Sequence, residues 1–112
     1  MAMLGQLLGS AIQSIGDIGI RRNIQQQLAT THATTIERYL AQGDGVLVII
    51  RMQEWATPDF NGMRARSLLD VHVVGGRDEA TALAKWRQPK YLQGPPKGWR
   101  TYEEYAWIDP SR

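Results

Sequence analysis

Residues 45–76, GVLVIIRMQEWATPDFNGMRARSLLDVHVVGG, contain the two most apolar and β-branched runs of the chain. These runs are VLVII (46–50) and LLDVHVV (68–74), and the turn-favouring stretch PDFNG (58–62) lies between them. The pattern predicts two antiparallel strands joined by a loop. Because such a pair is marginal alone, the residues on either side have to cover its apolar face.

The alternation of apolar and polar residues predicts which side of each strand faces the core. On the first strand the more apolar side carries Val46, Val48, Ile50 and Met52. On the second strand the apolar side carries Leu69, Val71 and Val73, and the solvent side carries Leu68, Asp70 and His72. We therefore expect a sheet with one buried and one solvated face.

The rest of the chain predicts a few further elements. Residues 79–86 (EATALAKW) favour a helix by composition, although a third strand is the alternative. Residues 93–98 (QGPPKG) cannot form regular structure, and residues 100–108 predict a closing strand. The fold class is therefore α+β, with an N-terminal amphipathic helix followed by a small antiparallel β-sheet or a partly open β-barrel.

Size and charge exclude several classes of protein. The 112 residues suffice for one domain, and the absence of cysteine excludes disulfides and thiolate metal sites. The net charge is only +2, and lysine and arginine are scattered along the chain rather than clustered. This distribution favours an ordinary solvated surface over a nucleic-acid-binding face.

Residues 1–28 predict a helix that carries an apolar stripe. The residues of its a/d-like row follow steps of 4, 3, 4 and 3 along the chain: Leu4, Leu8, Ala11, Ile15 and Ile18. Four glycines and one charged residue, Asp17, lie among residues 1–20. Glycines destabilise an isolated helix but allow helices to approach closely, so we expect this row to form a helix interface.

Three roles remain open for residues 1–28. They could assemble copies of the chain or lie in a membrane interface, which we favour. They could span a membrane, although polar residues weaken the apolar stretch, or they could pack on their own domain. A secretory signal lacks support, because no basic region precedes the apolar part. If the helix spans a membrane, Arg21 and Arg22 favour the cytoplasm for the C-terminal domain. The predicted location is cytoplasmic, at the cytoplasmic face of the membrane if the helix binds it.

The predicted organisation has three parts. Residues 1–28 are an oligomerisation or membrane-association helix. Residues 29–43 are a joint and a short helix, with Thr34 and Glu37 at capping-box spacing and Gly43 at the end. Whether the helix is continuous across 29–35 stays open, because β-branched polar residues lower helix propensity there. Residues 44–112 are a small β domain.

The C-terminal part resembles a known class of bacterial domains. The matching features are AQGDGVLVI before and into the first strand, FNG before a strand that ends VHVVG, and a Gly-Pro-rich loop ending in Lys97-Gly98. On these features residues 41–112 resemble small uncharacterised β domains, common in actinobacteria, that follow an N-terminal membrane helix. The resemblance implies a small β fold and a membrane context, and it implies no activity. The alanine-rich stretch 79–88 departs from that class.

No complete catalytic, metal or cofactor motif occurs in the sequence. Asp70 and His72 share one strand face and could form a pair, but an exposed polar face fits the alternation better. Adjacent Glu103 and Glu104 point to opposite faces of a strand, and no phosphate-binding glycine loop is present. We therefore predict no enzyme activity, no catalytic residues, no metal site and no cofactor.

Aromatic residues near the C-terminus are the strongest remaining signal. Six of them fall within 22 residues: Trp86, Tyr91, Trp99, Tyr102, Tyr105 and Trp107. They could form core, a surface that docks a partner protein, or a platform that stacks single-stranded nucleic acid. We predict a non-enzymatic scaffold or attachment module, a homo-oligomer through residues 1–28 that docks an unidentified protein through this aromatic surface. A single-stranded nucleic-acid-binding small β-barrel is the alternative.

Overall fold

The structure, a computed structural model, describes residues 18–87 and 96–110. Within these residues, three helices, one π-helical turn and three strands follow one another: α1 (Ile18–Gln27), the π turn (Leu28–His32), α2 (Ala33–Ala41), β1 (Gly45–Trp55), β2 (Arg66–Gly76), α3 (Glu79–Trp86) and β3 (Trp99–Ile108). The strands form an open antiparallel sheet in the order β2-β1-β3. The predicted α+β fold is confirmed, with the sheet in its open form.

The helical segment from α1 to α2 covers one face of the sheet, which we call the α1–α2 face. Ile24, Leu28 and Ile36 are completely buried there. They pack against the side of β1 that alternation predicts as the core side, Val46, Val48, Ile50 and Met52. This side of β1 is thus confirmed as a core side, and residues 20–40 of the helical segment contribute to the same core.

The helix continues through residues 29–35 by means of the π turn. The side chains directed at the sheet are four residues apart: Ile24, Leu28, His32 and Ile36. An α-helix turns about 100° per residue, so each step of four overshoots by about 40°. The wider π turn spreads one turn over more residues and removes much of that drift. Ile36 therefore still faces the sheet.

The opposite face of the sheet, which we call the α3 face, is covered by α3 at one end. The helix predicted for residues 79–86 is confirmed, and the Asp78 side chain caps it by accepting a hydrogen bond from the Thr81 backbone N–H at 2.7 Å. Ala82 and Trp86 pack on Leu47 and Ile49 of β1. The expectation of one fully solvated face is therefore wrong at this end, because β1 is apolar on both sides and needs cover on both.

A β-bulge in β2 exchanges the sides assigned to two leucines. Arg51 pairs with Asp70 and Met52 pairs with Leu68, so Leu69 is the extra residue. Leu68 therefore packs with the core of the α1–α2 face, and Leu69 is exposed. The sequence expectation had these two residues the other way round, because strict alternation assumes a regular strand.

Candidate functional site

The N-terminal row of apolar residues is only partly within the described residues. Leu4, Leu8, Ala11 and Ile15 lie outside them, and Ile18 is 60% exposed. Two turns further on, Ile24 and Leu28 are buried against the chain's own sheet. Among residues 18–87 and 96–110, no helix has the length and apolar character needed to cross a membrane. The interface role of the row stays a prediction.

The six aromatic residues predicted to form one partner surface are distributed over several places. Tyr91 lies outside the described residues. Trp86, the last residue of α3, is buried against the sheet, and the half-buried Trp107 lies beside it. Tyr102 packs into the core of the α1–α2 face. Trp99 and Tyr105 lie on the α3 face, opposite Trp55 and Ile49 of β1. Of the described members, Tyr102 therefore lies on the α1–α2 face and the other four lie on the α3 face, where Trp86 is buried.

The loop between β1 and β2 presents a different apolar surface, which we call the hairpin tip and define as Trp55, Phe60 and Met63. Phe60 is 97% exposed, Met63 is 69% exposed and Trp55 is 41% exposed. Trp55 also contacts Trp99 edge to face, with ring centroids 5.4 Å apart. The largest exposed apolar side chains of the described residues thus concentrate at the end of the sheet away from α2.

Hydrogen bonds fix the backbone that presents Phe60. One Oδ1 atom of Asp59 accepts from the backbone N–H of Asn61 at 2.8 Å and from that of Met63 at 3.0 Å. The Asp59 N–H donates to the Met63 carbonyl at 2.7 Å. Between them, Gly62 has a φ of 79°, a backbone conformation that favours glycine. The exposed side chains therefore project from an ordered turn.

Charged residues border the hairpin tip on the α1–α2 side. Arg100 donates from Nε to Oε1 of Glu54 at 2.6 Å, and Arg64 lies 3.5 Å from the same oxygen. The hydrogen bond from Arg100 is the main cause that lowers the pKa of the Glu54 carboxyl. This border combines two arginines with one carboxylate beside an apolar centre, as in the polar rim of a protein interface.

A polar cluster joins α3 to the sheet on the α3 face. The Trp86 indole N–H donates to Oε2 of Glu103 at 2.7 Å, and the Tyr105 hydroxyl donates to Oε1 at 2.9 Å. Burial first, and then the contact with Glu103, raise the pKa of the Tyr105 hydroxyl above its ordinary range. The His72 ring lies 5.0 Å from the Trp86 ring. These contacts hold the end of α3 in place.

Asp70 and His72 lie within this same region. Nε2 of His72 is 3.0 Å from Oδ1 of Asp70, but both atoms are shielded from solvent and neither makes a hydrogen bond. The other carboxylate oxygen of Asp70 accepts from Arg51 at 2.7 Å. Within the described residues, no serine, threonine or lysine hydrogen-bonds His72. No three His, Asp or Glu side chains of those residues lie close enough together to hold a metal ion. The side-chain hydrogen bond that the structure gives this pair joins Asp70 of β2 to Arg51 of β1.

Sequence reasoning missed the hairpin tip, although a signal for it exists. Phe60 stands between Asp59 and the Asn61-Gly62 pair, and turn residues place the backbone at the surface. A large apolar side chain in the middle of such a turn cannot reach the core. Its exposure could therefore have been inferred from its neighbours.

Comparison with known proteins gives no relative: no protein-family model matches the chain, no curated protein matches it, and no solved structure matches it.

Proposed function

We propose that the chain is a non-enzymatic attachment module that acts in the cytoplasm. Residues 1–28 assemble copies of the chain or bind the membrane, and the sheet domain docks a partner protein. The observation that carries the docking role is the hairpin tip, where Phe60 is 97% exposed and Met63 is 69% exposed on an ordered turn. Contiguous exposed apolar side chains mark interaction sites more often than they mark inert surface.

The chemistry of the tip suits a protein partner. Tryptophan, phenylalanine, methionine and arginine are enriched in protein interfaces. The turn is already held by Asp59, so binding would cost less ordering entropy than it would for a mobile loop. Arg64 and Arg100 at the border can contact acidic groups of the partner.

The nucleic-acid alternative has weaker support. Stacking of single-stranded bases needs aromatic rings in succession along one basic groove. Here Tyr102 packs on the α1–α2 face, whereas Tyr105 lies on the α3 face. A gel shift of the full chain with single-stranded oligonucleotide at low salt would support this alternative over the attachment role.

Site-specific photocrosslinking tests the docking role. A photoreactive phenylalanine analogue replaces Phe60 in the full chain, expressed in the cells from which the chain comes. The matched control carries the analogue at Glu37, which is exposed on α2 at the other end of the sheet. We expect one discrete protein adduct at position 60 and none of that mass at position 37.

A second substitution shows whether the adduct depends on the apolar surface. Met63→Asp, added to the chain with the analogue at position 60, removes the neighbouring apolar side chain without touching the core. We expect loss of the adduct with an unchanged melting temperature. An adduct that survives Met63→Asp, or that forms equally at position 37, contradicts docking by the hairpin tip.

A further inference from the structure

The two outer edges of the sheet differ in how their backbone groups are used. In an antiparallel sheet, alternate residues of an edge strand point both the N–H and the C=O away from the neighbouring strand. On β2 two of these outward carbonyls are occupied: His32 bonds the Val71 carbonyl at 2.9 Å, and the Lys85 ammonium donates to the Gly75 carbonyl at 2.9 Å. Side chains from both helical layers therefore cap the β2 edge.

The β3 edge has no such caps from the described residues. The Gly98 carbonyl accepts from the Ala56 N–H, so even-numbered residues of this strand face β1 and odd-numbered residues face outward. The Trp99 N–H donates to the Pro96 carbonyl. Further along, no backbone hydrogen bond within the described part of the chain reaches the outward groups of four residues: Thr101, Glu103, Tyr105 and Trp107.

A long edge with free backbone groups is a template for another strand. β3 runs for ten residues, and the helices of both layers lie chiefly over β1 and β2, so the described helices leave the outer side of β3 accessible. Proteins usually discourage such pairing with charged side chains on the edge strand. β3 carries three of them, Arg100, Glu103 and Glu104, so their spacing decides whether they oppose or favour pairing.

We propose that β3 pairs in antiparallel orientation with β3 of a second copy of the chain, about a twofold axis at Tyr102, to form a continuous six-stranded sheet. In this register Arg100 lies opposite the partner's Glu104, and the pair occurs twice by symmetry. Trp99 lies opposite the partner's Tyr105. Opposite charges and aromatic residues that face each other across neighbouring strands stabilise the pairing.

Neighbouring registers lack this complementarity. An axis at Glu103 places two copies of that carboxylate opposite each other, and an axis at Glu104 does the same for that residue. An axis at Thr101 places Arg100 opposite the partner's Tyr102, with the partner's Glu104 only at the diagonal position. The charges of β3 are thus self-complementary about Tyr102 alone among these four positions.

The side chains that would form the pair are available for it. Glu104 makes no hydrogen bond or ion pair with the described residues, and it lies on the same face as Arg100. Arg100 uses Nε and Nη2 for Glu54, and a guanidinium has five N–H donors. Arg100 would therefore bridge Glu54 of its own chain and the partner's Glu104. The proposed pairing uses residues 99–105 and none of residues 1–28.

Cysteine crosslinking tests the register directly, because the chain has no cysteine of its own. Two full-length variants, Arg100→Cys and Glu104→Cys, carry tags of different mass and are mixed with oxidised glutathione. In the proposed register their Cα atoms form a non-hydrogen-bonded pair about 4.5 Å apart, which lies within disulfide range. We expect the mixed 100–104 disulfide to exceed the disulfide of either variant with itself.

The result that overturns the proposal is equally specific. If no disulfide-linked dimer forms in the mixture, β3 does not pair with itself. A dominant 104–104 or 100–100 disulfide places the axis elsewhere and overturns the Tyr102 register. Residues 1–28 are unchanged in these variants, so assembly through them alone leaves the three disulfides without the expected preference.

Charge reversal tests whether the Arg–Glu pairs favour association. Arg100→Glu and Glu104→Arg each turn two attractive pairs into two repulsive ones, so each should weaken the β3 contact roughly ten- to hundredfold in the full chain. An equimolar mixture of the two variants should restore association, because each supplies the opposite charge. Sedimentation equilibrium measures both, with thermal melts to confirm folding. Unchanged association of the single variants, or failure of the mixture to recover, contradicts the proposal.

Discussion

One carboxylate organises the junction between α3 and the sheet. Glu103 accepts hydrogen bonds from the Trp86 indole and the Tyr105 hydroxyl, one on each oxygen. Trp86 itself is buried and closes the core between α3 and β1. A donor buried without its acceptor is costly, so Glu103 lets an indole N–H occupy an otherwise apolar site. Glu103 thus links a buried indole and a partly exposed phenol at the end of α3.

The ionisation of Tyr105 reports on this junction. Burial and Glu103 raise the pKa of the Tyr105 hydroxyl above its ordinary value of 10.0. A raised pKa means that the neutral form stabilises the fold, fully below the ordinary value and progressively less as the pH rises through the raised pKa. In an alkaline absorbance titration, we expect one tyrosine to ionise above the ordinary range, and Tyr105→Phe to remove that step.

Glu103→Gln is the matched variant for this titration. It keeps a hydrogen-bond acceptor but removes the negative charge, so the late step should move toward the ordinary pKa without disappearing. A late step that persists in Tyr105→Phe would assign the raised pKa to another tyrosine.

Gly75 allows the ring of Tyr39 to lie directly on β2. A Cβ at this position would overlap the ring atoms of Tyr39. We expect Gly75→Ala to lower the free energy of unfolding by about 1–3 kcal/mol, measured by denaturant unfolding. Tyr39→Ala should relieve the clash, so that adding Gly75→Ala to it costs much less. Equal costs in the two backgrounds would show that Tyr39 is not the group in contact.

At the scale of elements, the helical segment from α1 to α2 belongs to the domain's core. Ile24→Ala should lower the free energy of unfolding by about 2–5 kcal/mol, because it leaves a cavity against the sheet. Ile18→Ala, on the same helix but 60% exposed, should change it by no more than about 0.5 kcal/mol. Similar effects of the two substitutions in denaturant unfolding would contradict the packing of α1 on the sheet.

Much of the element order follows from the sequence. The two strands around PDFNG, the helix at 79–86 and the last strand each have a local signal in propensity or turn residues. Two features of the fold have no local signal in the sequence. The bulge at Leu69 depends on how β2 fits β1, and the π turn at Leu28–His32 depends on keeping Ile36 over the sheet. Both are set by tertiary packing rather than by local preference.

The candidate site was harder to predict than the fold. A cluster of aromatic residues in sequence suggests one surface, but a strand sends successive side chains to opposite faces. Tyr102 and Tyr105 are therefore separated by the sheet, and α3 buries Trp86. A search for clusters of aromatic residues along the sequence does not find Phe60 and Met63, because their exposure depends on the turn that presents them.

For the whole molecule, the hairpin tip, the β3 edge and residues 1–28 each have a proposed contact of their own. The hairpin tip lies at one end of the sheet, the β3 edge lies along one side, and the described helices cover the two faces. Residues 1–28 begin outside the described part and run into α1. The hairpin tip and the β3 edge meet at Arg100, which borders the tip through Glu54 and also belongs to the proposed β3 pair.

The most direct test of the attachment role compares the full chain with a chain that begins at Ile18. This truncation removes most of the predicted apolar row but keeps Ile24 and Leu28, which the core needs. Light scattering in plain buffer gives the number of chains per particle, and flotation with lipid vesicles gives membrane binding. Thermal melts confirm that the truncated chain is folded.

If residues 1–28 attach the chain, we expect the full chain to form larger particles or to float with vesicles, and the truncated chain to do neither. Pairing through β3 contributes equally to both chains and does not affect the comparison. The same number of chains per particle in both, with no vesicle binding by either, would contradict an attachment role for the N-terminal segment.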